Sequence, residues 1–391
     1  MSAKKKLNIV HLHWGFPPLI GGVETHLTII LPELVRLGHK VSLLTGSVEG
    51  IPGNYEYEGV NIQRTPLFDL NWLYKRGFKG LEEELEQLYF DLFSRTKPDV
   101  IHAHNMHYFS EMHTSLLESM ACKFNSQLIL TAHNVWDDIL YLDMTLKVKW
   151  DKIIAVSHCI KKEMIGIGVD EKKITVIHHG INQNIFVQKA PTQAFFDKYP
   201  KLKGRPVIFH PARMGLAKGC DMSIKSINIV KKKYPDAVFV FAGSKNIIDW
   251  GETQQKDIAY LVKLIKHFKL ENNVLIDTYS LEEMKEMYAA TRVVIYPSTA
   301  NEPFGLAMLE AMAMSKPIIV TDMGGMPEII KDGINGFVIK QRDFEALGHR
   351  IIRLLDDEAL SSRLGTTGRQ ILESHYTKEK MAQATLQVYE A

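Results

Sequence analysis

At 391 residues the chain exceeds what one hydrophobic core usually organises, so two domains are expected. A hydrophobic share of 46% and a charged share of 24% exclude a disordered, collagen-like or mainly coiled-coil chain. With 47 Lys+Arg against 45 Asp+Glu the net charge is +2, which argues against a nucleic-acid partner.

The chain opens with Lys4, Lys5 and Lys6 before an apolar run that His11 and His13 interrupt, too short for the apolar core of a signal peptide. No later stretch approaches the ~20 apolar residues of a membrane span. Cys122, Cys159 and Cys220 form no C-x-x-C pair, so neither a disulfide framework nor a zinc ribbon is indicated. A cytoplasmic protein is expected, with docking on the inner face of a membrane left open.

Short apolar runs recur along the chain, rich in Val and Ile and without alternation, as in parallel strands buried on both faces. They are Leu7–His13, Val41–Thr45, Val60–Arg64, Val100–His104, Gln127–His133, Ile153–Val156 and Ile174–His178 in the first half. Val207–Pro211, Ala237–Ala242, Val274–Thr278, Val293–Tyr296, Ile318–Thr321 and Gly336–Ile339 follow in the second. The segments between them read as helices, such as Thr25–Leu37 stopped by Gly38 and kinked at Pro32. Repeated strand–helix–strand units predict two Rossmann-like α/β domains with parallel sheets. Pro191, Pro200, Gly204 and Pro206 punctuate the one interruption, which reads as a linker. The expected division is 1–187, a linker at 188–205, 206–375, and a terminal helix at 376–391. Ligands of open parallel sheets bind beyond the carboxyl ends of the strands, so the loops after strands carry the functional reading.

The densest such region is YPSTANEPFGLAMLEAMAMSKPIIVTDMGGMPEIIKDGINGFVI, 296–339. A helix starting near Gly305 turns the amides of Phe304, Gly305, Leu306 and Ala307 outward as an anion site. Glu302 and Glu310 stand up to ~12 Å apart at helical rise, too far for a carboxylate dyad but suited to bracket one extended ligand. Gly324 and Gly325 follow the next strand. Gly21 and Gly22 follow the first strand, where a missing Cβ lets backbone approach a ligand. Arg213 and Lys218 share a loop and together would neutralise a diphosphate.

Histidine crowds the first half. His11 with His13 and His102 with His104 each share a strand face. Such pairs suit zinc or copper, but no third ligand follows at fixed spacing and no Asp-x-Asp is present, so no metal is expected. His133 ends its strand and is the best single candidate for a ligand contact, with His104 and Asn105 at another strand end. LFDLNWLYKRGFKG, 67–80, mixes Trp72, Tyr74 and Phe78 with Lys75, Arg76 and Lys79. It reads as core and loop, as an acceptor wall, or as a membrane-surface face.

Taken together, GGVETH (21–26), HAHN (102–105), TAHN (131–134), AVS (155–157), VIHHGIN (176–182), HPARMGLAKG (210–219) and the 296–339 segment resemble, in order, the retaining glycosyltransferases of family 4. The resemblance spans the chain and implies a GT-B fold of two facing Rossmann-like domains with an interdomain cleft. It implies a nucleotide diphosphate sugar as donor, most simply UDP-linked, transfer of a hexose to a hydroxyl of an unidentified acceptor, and no cofactor. It places Arg213 and Lys218 on the donor phosphates, Gly21 and Gly22 beneath the diphosphate, His133 beside the hexose as a sugar or transition-state contact, and His104 and Asn105 at the acceptor pocket. Glu302 then holds the sugar hydroxyls and Glu310 the ribose. Ala212, Gly243-Ser244-Lys245, His178 and His179 depart from the family pattern. An epimerase or phosphorylase on the same fold and a non-catalytic sugar-nucleotide binder are the rival readings. A nicotinamide dehydrogenase is disfavoured because no G-x-G-x-x-G follows a strand.

Overall fold

The computed structural model describes residues 5–135, 145–243 and 251–391; Lys4, Ser244 and Lys245, named above, lie outside them. The chain divides into two units, 1–180 with 378–391, and 181–377.

The first unit is built on eight strands: β1 (Asn8–Leu12), β2 (Lys40–Gly46), β3 (Asn54–Tyr57), β4 (Val60–Thr65), β5 (Val100–His104), β6 (Gln127–Ala132), β7 (Lys152–Ala155) and β8 (Ile174–Val176). Their order is β3-β4-β2-β1-β5-β6-β7-β8, parallel except for the antiparallel β3–β4 pair. Strand order reverses between β1 and β5, which pair side by side with His11 opposite His102. The lower part of one sheet face is apolar: Ile9, Val41, Val100 and Ile129 pack with Leu27, Ile30 and Leu34 of the helix Gly22–Arg36. That helix runs unbroken through Pro32 and hands over to Gly38 at φ 94°. The terminal helix Lys378–Glu390 joins the same core through Met381, Leu386 and Tyr389, and Lys378 reaches the buried Glu33 at 3.1 Å.

The second unit holds β9 (Val207–His210), β10 (Val238–Gly243), β11 (Val274–Thr278), β12 (Val293–Tyr296), β13 (Ile318–Thr321) and β14 (Phe337–Ile339), ordered β11-β10-β9-β12-β13-β14 and all parallel. Here the order reverses between β9 and β12. One face packs its Ile208, Phe239, Phe241 and Ile295 under Ile224 and Ile227 of the helix Cys220–Val230 and Leu347 and Ile351 of the helix Phe344–Asp356.

Two differences from the sequence reading have plain causes. Residues 188–205 are not a free linker but part of the second unit. Phe195, Tyr199 and Leu202 are buried anchors, Thr192 caps the helix Gln193–Lys198 and bonds Glu286, and Lys198 pairs with Glu283. The prolines there delimit short elements instead of freeing the chain. Strand β3 was not expected, because as an edge strand it carries little apolar signal. The cue was Glu58–Gly59, both at positive φ (47° and 81°), joining two strands as a tight hairpin turn. Among the described residues no helix is long and apolar enough to cross a membrane. In the 67–80 segment Leu67, Phe68, Leu70 and Leu73 are core, whereas Tyr74, Lys75, Arg76 and Lys79 are exposed.

Candidate active site

In the second unit the loops after β9 and β12, at the point where strand order reverses, are bound together. The Ala217 carbonyl accepts from the amides of Thr299 (3.0 Å) and Ala300 (3.2 Å) and from the Ser298 hydroxyl (2.9 Å). Gly219 permits that approach: at φ 74° it lies so close to Pro297 that a Cβ would sit 1.8 Å from the Pro297 carbonyl oxygen. Lys218 is thereby aimed at Glu302, its Nζ 2.6 Å from Oε2. The Tyr296 hydroxyl donates to the same oxygen at 3.1 Å, and the Lys218 ammonium lies 5.7 Å from the Tyr296 ring centre. Burial by itself would lower the Lys218 pKa, but Glu302 and Tyr296 outweigh it and hold the amine charged. Burial and then the Glu302 carboxylate push the Tyr296 phenol upward, so it stays a donor. Glu302 is fixed from behind as well. The Gly325 amide donates to its carbonyl at 2.8 Å, and a Cβ on Gly324 would meet that carbonyl oxygen at 2.1 Å.

Gly305, at φ 86°, caps the helix Leu306–Ala313, whose leading amides lie outside its own hydrogen-bond ladder. Phe304 is buried beside them. Glu310, one turn along, receives the Tyr288 hydroxyl on Oε2 at 2.7 Å. Burial raises its pKa, an effect this hydrogen bond opposes. Arg213 stands half-buried at the start of the loop it shares with Lys218. Among the described residues its guanidinium has no hydrogen-bond or ion-pair partner, which leaves all five donors available.

In the first unit Gly21 and Gly22 play unequal parts. A Cβ on Gly21 would meet Glu24 Oε2 at 2.2 Å, so this glycine makes room for a buried carboxylate; a Cβ on Gly22 would meet nothing within 4 Å. Glu24 Oε1 accepts from His13 Nε2 at 3.0 Å. Above the apolar part of the same sheet lies a layer of imidazoles, because His11, His102, His104 and Thr131 fall in register on one face. His11 Nδ1 is 2.9 Å from His104 Nε2, and His104 Nδ1 is 2.9 Å from His133 Nε2. His102 bonds the Tyr389 hydroxyl and Thr131 Oγ1, each at 2.6 Å. His26 from the first helix and His179 after β8 close the layer, their ring centres 4.6 Å apart. Burial drives these rings toward the neutral form: His11 and His179 to about 3, His26, His102, His104 and His133 well below the ordinary value.

The structure thus joins Lys218 to Glu302 and sets both beside the helix start that Phe304, Gly305, Leu306 and Ala307 form. It corrects the acceptor assignment of His104 and Asn105. His104 is fully buried with both ring nitrogens bonded to histidines, and Asn105 is 2% exposed, its Oδ1 accepting the His133 amide at 2.9 Å and its amide nitrogen bonding Asn134. Folding also supplies the third imidazole that spacing alone lacked: His11–His102–His104 and His26–His104–His133 each bring ligand atoms within 4.8 Å. Both groups run through His104, whose nitrogens are already engaged. Sequence reasoning missed Tyr288, Tyr296 and Glu24. Tyr296 was legible as the polar end of β12, whereas Tyr288 meets Glu310 from a separate helix and left no local signal.

Comparison with known proteins agrees with this geometry. The family described as Glycosyltransferase Family 4 matches residues 20–184, and Glycosyl transferases group 1 matches 191–371, together nearly the whole chain. An uncharacterized glycosyltransferase of Methanocaldococcus jannaschii is 26% identical, with 98% of each chain covered. Among solved structures, a glycosyltransferase of Rickettsia africae superposes with a TM-score of 0.79 at 20% identity over 98% of each chain. The Anabaena protein HepE in complex with UDP and glucose gives 0.76 at 18% identity, over 98% of this chain and all of that one. With two Rossmann-like units, the strand-end loops of each laid out as described, this chain belongs to the group 1, family 4 glycosyltransferases of the GT-B fold.

Proposed function

We propose that the protein is a retaining, metal-independent hexosyltransferase that takes its sugar from a UDP-linked donor and delivers it to a hydroxyl. The observation that carries this reading is the cluster of Lys218, Glu302 and Tyr296 where strand order reverses in the second unit. There a permanent cation and a carboxylate stand side by side next to unfilled helix amides, which suits a ligand with a diphosphate at one end and hydroxyls at the other. The HepE complexes with UDP, glucose and UDP-glucose support the choice of donor.

In this reading Arg213, Lys218 and the Gly305–Leu306 amides receive the diphosphate, Glu302 the hexose hydroxyls, and Glu310 the ribose diol through the oxygen that Tyr288 does not occupy. Gly21 and Gly22 give backbone access to the diphosphate, and His133 contacts the hexose. The bond from the anomeric carbon to the diphosphate oxygen breaks while the acceptor oxygen bonds that carbon from the same face. The acceptor proton passes to the departing phosphate oxygen. The cations and amides act most on the charge that develops there, where preorganised donors are most effective.

Mass-spectrometric screening of UDP- and GDP-sugars against an acceptor panel tests the assignment, with NMR reading the anomeric configuration of the product. A UDP-hexose transferred with retention is expected. Inverted product, donor converted without acceptor, or a requirement for free phosphate replaces the reading with an inverting transferase, an epimerase or a phosphorylase respectively.

A further inference from the structure

The imidazole layer of the first unit contains an unbranched chain of three rings, His11–His104–His133, linked by two 2.9 Å contacts. A neutral imidazole carries one N–H and one lone pair, so each ring must donate through one nitrogen and accept through the other. All three rings are buried, at 0%, 0% and 5% exposure. Only two arrangements satisfy both contacts. Either every proton points from His11 toward His133, leaving a lone pair on His11 Nε2 and an N–H on His133 Nδ1, or every proton points the other way. Those two atoms are the chain's ends, and both are buried without a hydrogen-bond partner among the described residues.

The two ends are not equivalent. His11 Nε2 is sealed inside the sheet face, where an orphaned N–H is the rarer and costlier outcome. His133 lies just beyond β6, at the strand end where ligands of such sheets bind, and keeps 5% exposure although Nδ1 itself is buried, so a substrate oxygen would have to approach that atom as its missing partner. Its backbone is pinned too, the amide donating to Asn105 Oδ1 at 2.9 Å, with Asn105 held at φ 48°. We propose that His11 and His104 are positioning residues that hold His133 as its Nδ1–H tautomer, so that this ring acts as a hydrogen-bond donor to a substrate oxygen and not as a base. The inference rests on the reading that His133 contacts the hexose. It explains why His104 and Asn105 point inward: one orients the ring, the other the backbone. A cation held by His26, His104 and His133 would instead have to break the chain at His104.

Histidine-selective 15N NMR on the full-length protein tests this directly, with the His133 signals assigned by their loss in His133→Asn. The wild type should show a protonated Nδ1 and a bare Nε2 on His133; a protonated Nε2 or an imidazolium overturns the proposal. His11→Phe removes the donor at the sealed end and should let His133 populate both tautomers, whereas an unchanged His133 spectrum overturns the coupling. In UDP-glucose hydrolysis, His104→Leu should lower turnover about tenfold at unchanged affinity for UDP. His104→Asn, which can still place an N–H toward His133 Nε2, should recover most of it, and failure of that rescue counts against the positioning role. If His133→Asn hydrolyses UDP-glucose like the wild type while the tautomer result holds, the substrate contact falls and the ring chain stands.

Discussion

Both units gather polar side chains where strand order reverses, on β1 and β5 in one and in the loops after β9 and β12 in the other, yet they treat the charge of those groups in opposite ways. In the second unit a half-buried lysine is kept charged because a carboxylate and a phenol lie within reach, their side chains 30% exposed for Lys218 and 11% for Glu302. In the first, the rings of His11, His102, His104 and His133 are buried against one another with hydroxyls and amides as their other neighbours, and burial leaves them neutral. The lesson concerns partners more than depth. Burial without an opposite charge removes ionisation; burial beside one preserves it. A phosphate-handling surface needs the second arrangement, and a surface that reads neutral hydroxyls works with the first.

Acid offers the harshest test of this contrast. Below pH 6.5 an unfolded histidine takes up a proton that His11 and His179, held near 3, do not accept. The unfolded state then binds more protons, so stability falls as pH drops from 6.5 toward 3, by up to about 1.4 kcal/mol per ring per pH unit. From pH 6.5 to 5 these two rings alone should cost the first unit ~3 kcal/mol. Urea unfolding at both pH values checks it, and an unmoved midpoint would mean that the rings are hydrated.

The charged side of the comparison is tested by Lys218→Ala. In the proposed reading its ammonium faces charge that grows on the leaving diphosphate, so turnover should drop ~100-fold or more, with less effect on donor binding. A loss confined to KM would reassign Lys218 to ground-state binding.

A subtler split is expected between the two glutamates. Glu302→Gln should impair transfer yet leave affinity for free UDP nearly intact, because UDP has no hexose. Glu310→Ala should weaken UDP roughly tenfold through loss of a charge-assisted hydrogen bond to the ribose. Calorimetric titration of UDP into each variant distinguishes them, and equal losses would refute the division of roles.

Within the neutral layer, Tyr389→Phe removes one hydrogen bond to His102 and should cost about 1 kcal/mol, read as a small shift in the unfolding midpoint. A smaller outcome still, no change at all, is expected when EDTA is added to the transferase assay, since fixed cations and amides are proposed to do the work of a metal ion. Activity abolished by chelation and restored only by manganese would shift the comparison toward a metal-dependent second unit.

Much of this molecule was legible before folding. Thirteen of the fourteen strands among the described residues coincide with apolar runs read from the sequence, because fully buried parallel strands cannot hide their Val and Ile content. The exception, β3, buries little and so signals little. Arg213, Lys218, Glu302 and Glu310 stand out as candidates in the sequence because loops after strands and helix starts carry local signatures. That His104 and Asn105 turn inward was not legible, because a histidine at a strand end looks the same whether it faces a ligand or another ring.

By itself, then, the sequence determined the alternation of strands and helices, the division into two Rossmann-like units and the charged residues of the loops after β9 and β12, all properties of residues near one another in the chain. Only the tertiary structure decided which groups share protons. The Tyr389–His102 contact joins residues 287 positions apart, the His11–His104 contact 93 and the Lys218–Glu302 contact 84. Protonation depends on burial and on the nearest opposite charge, and both exist only once the sheets have brought distant strand ends together.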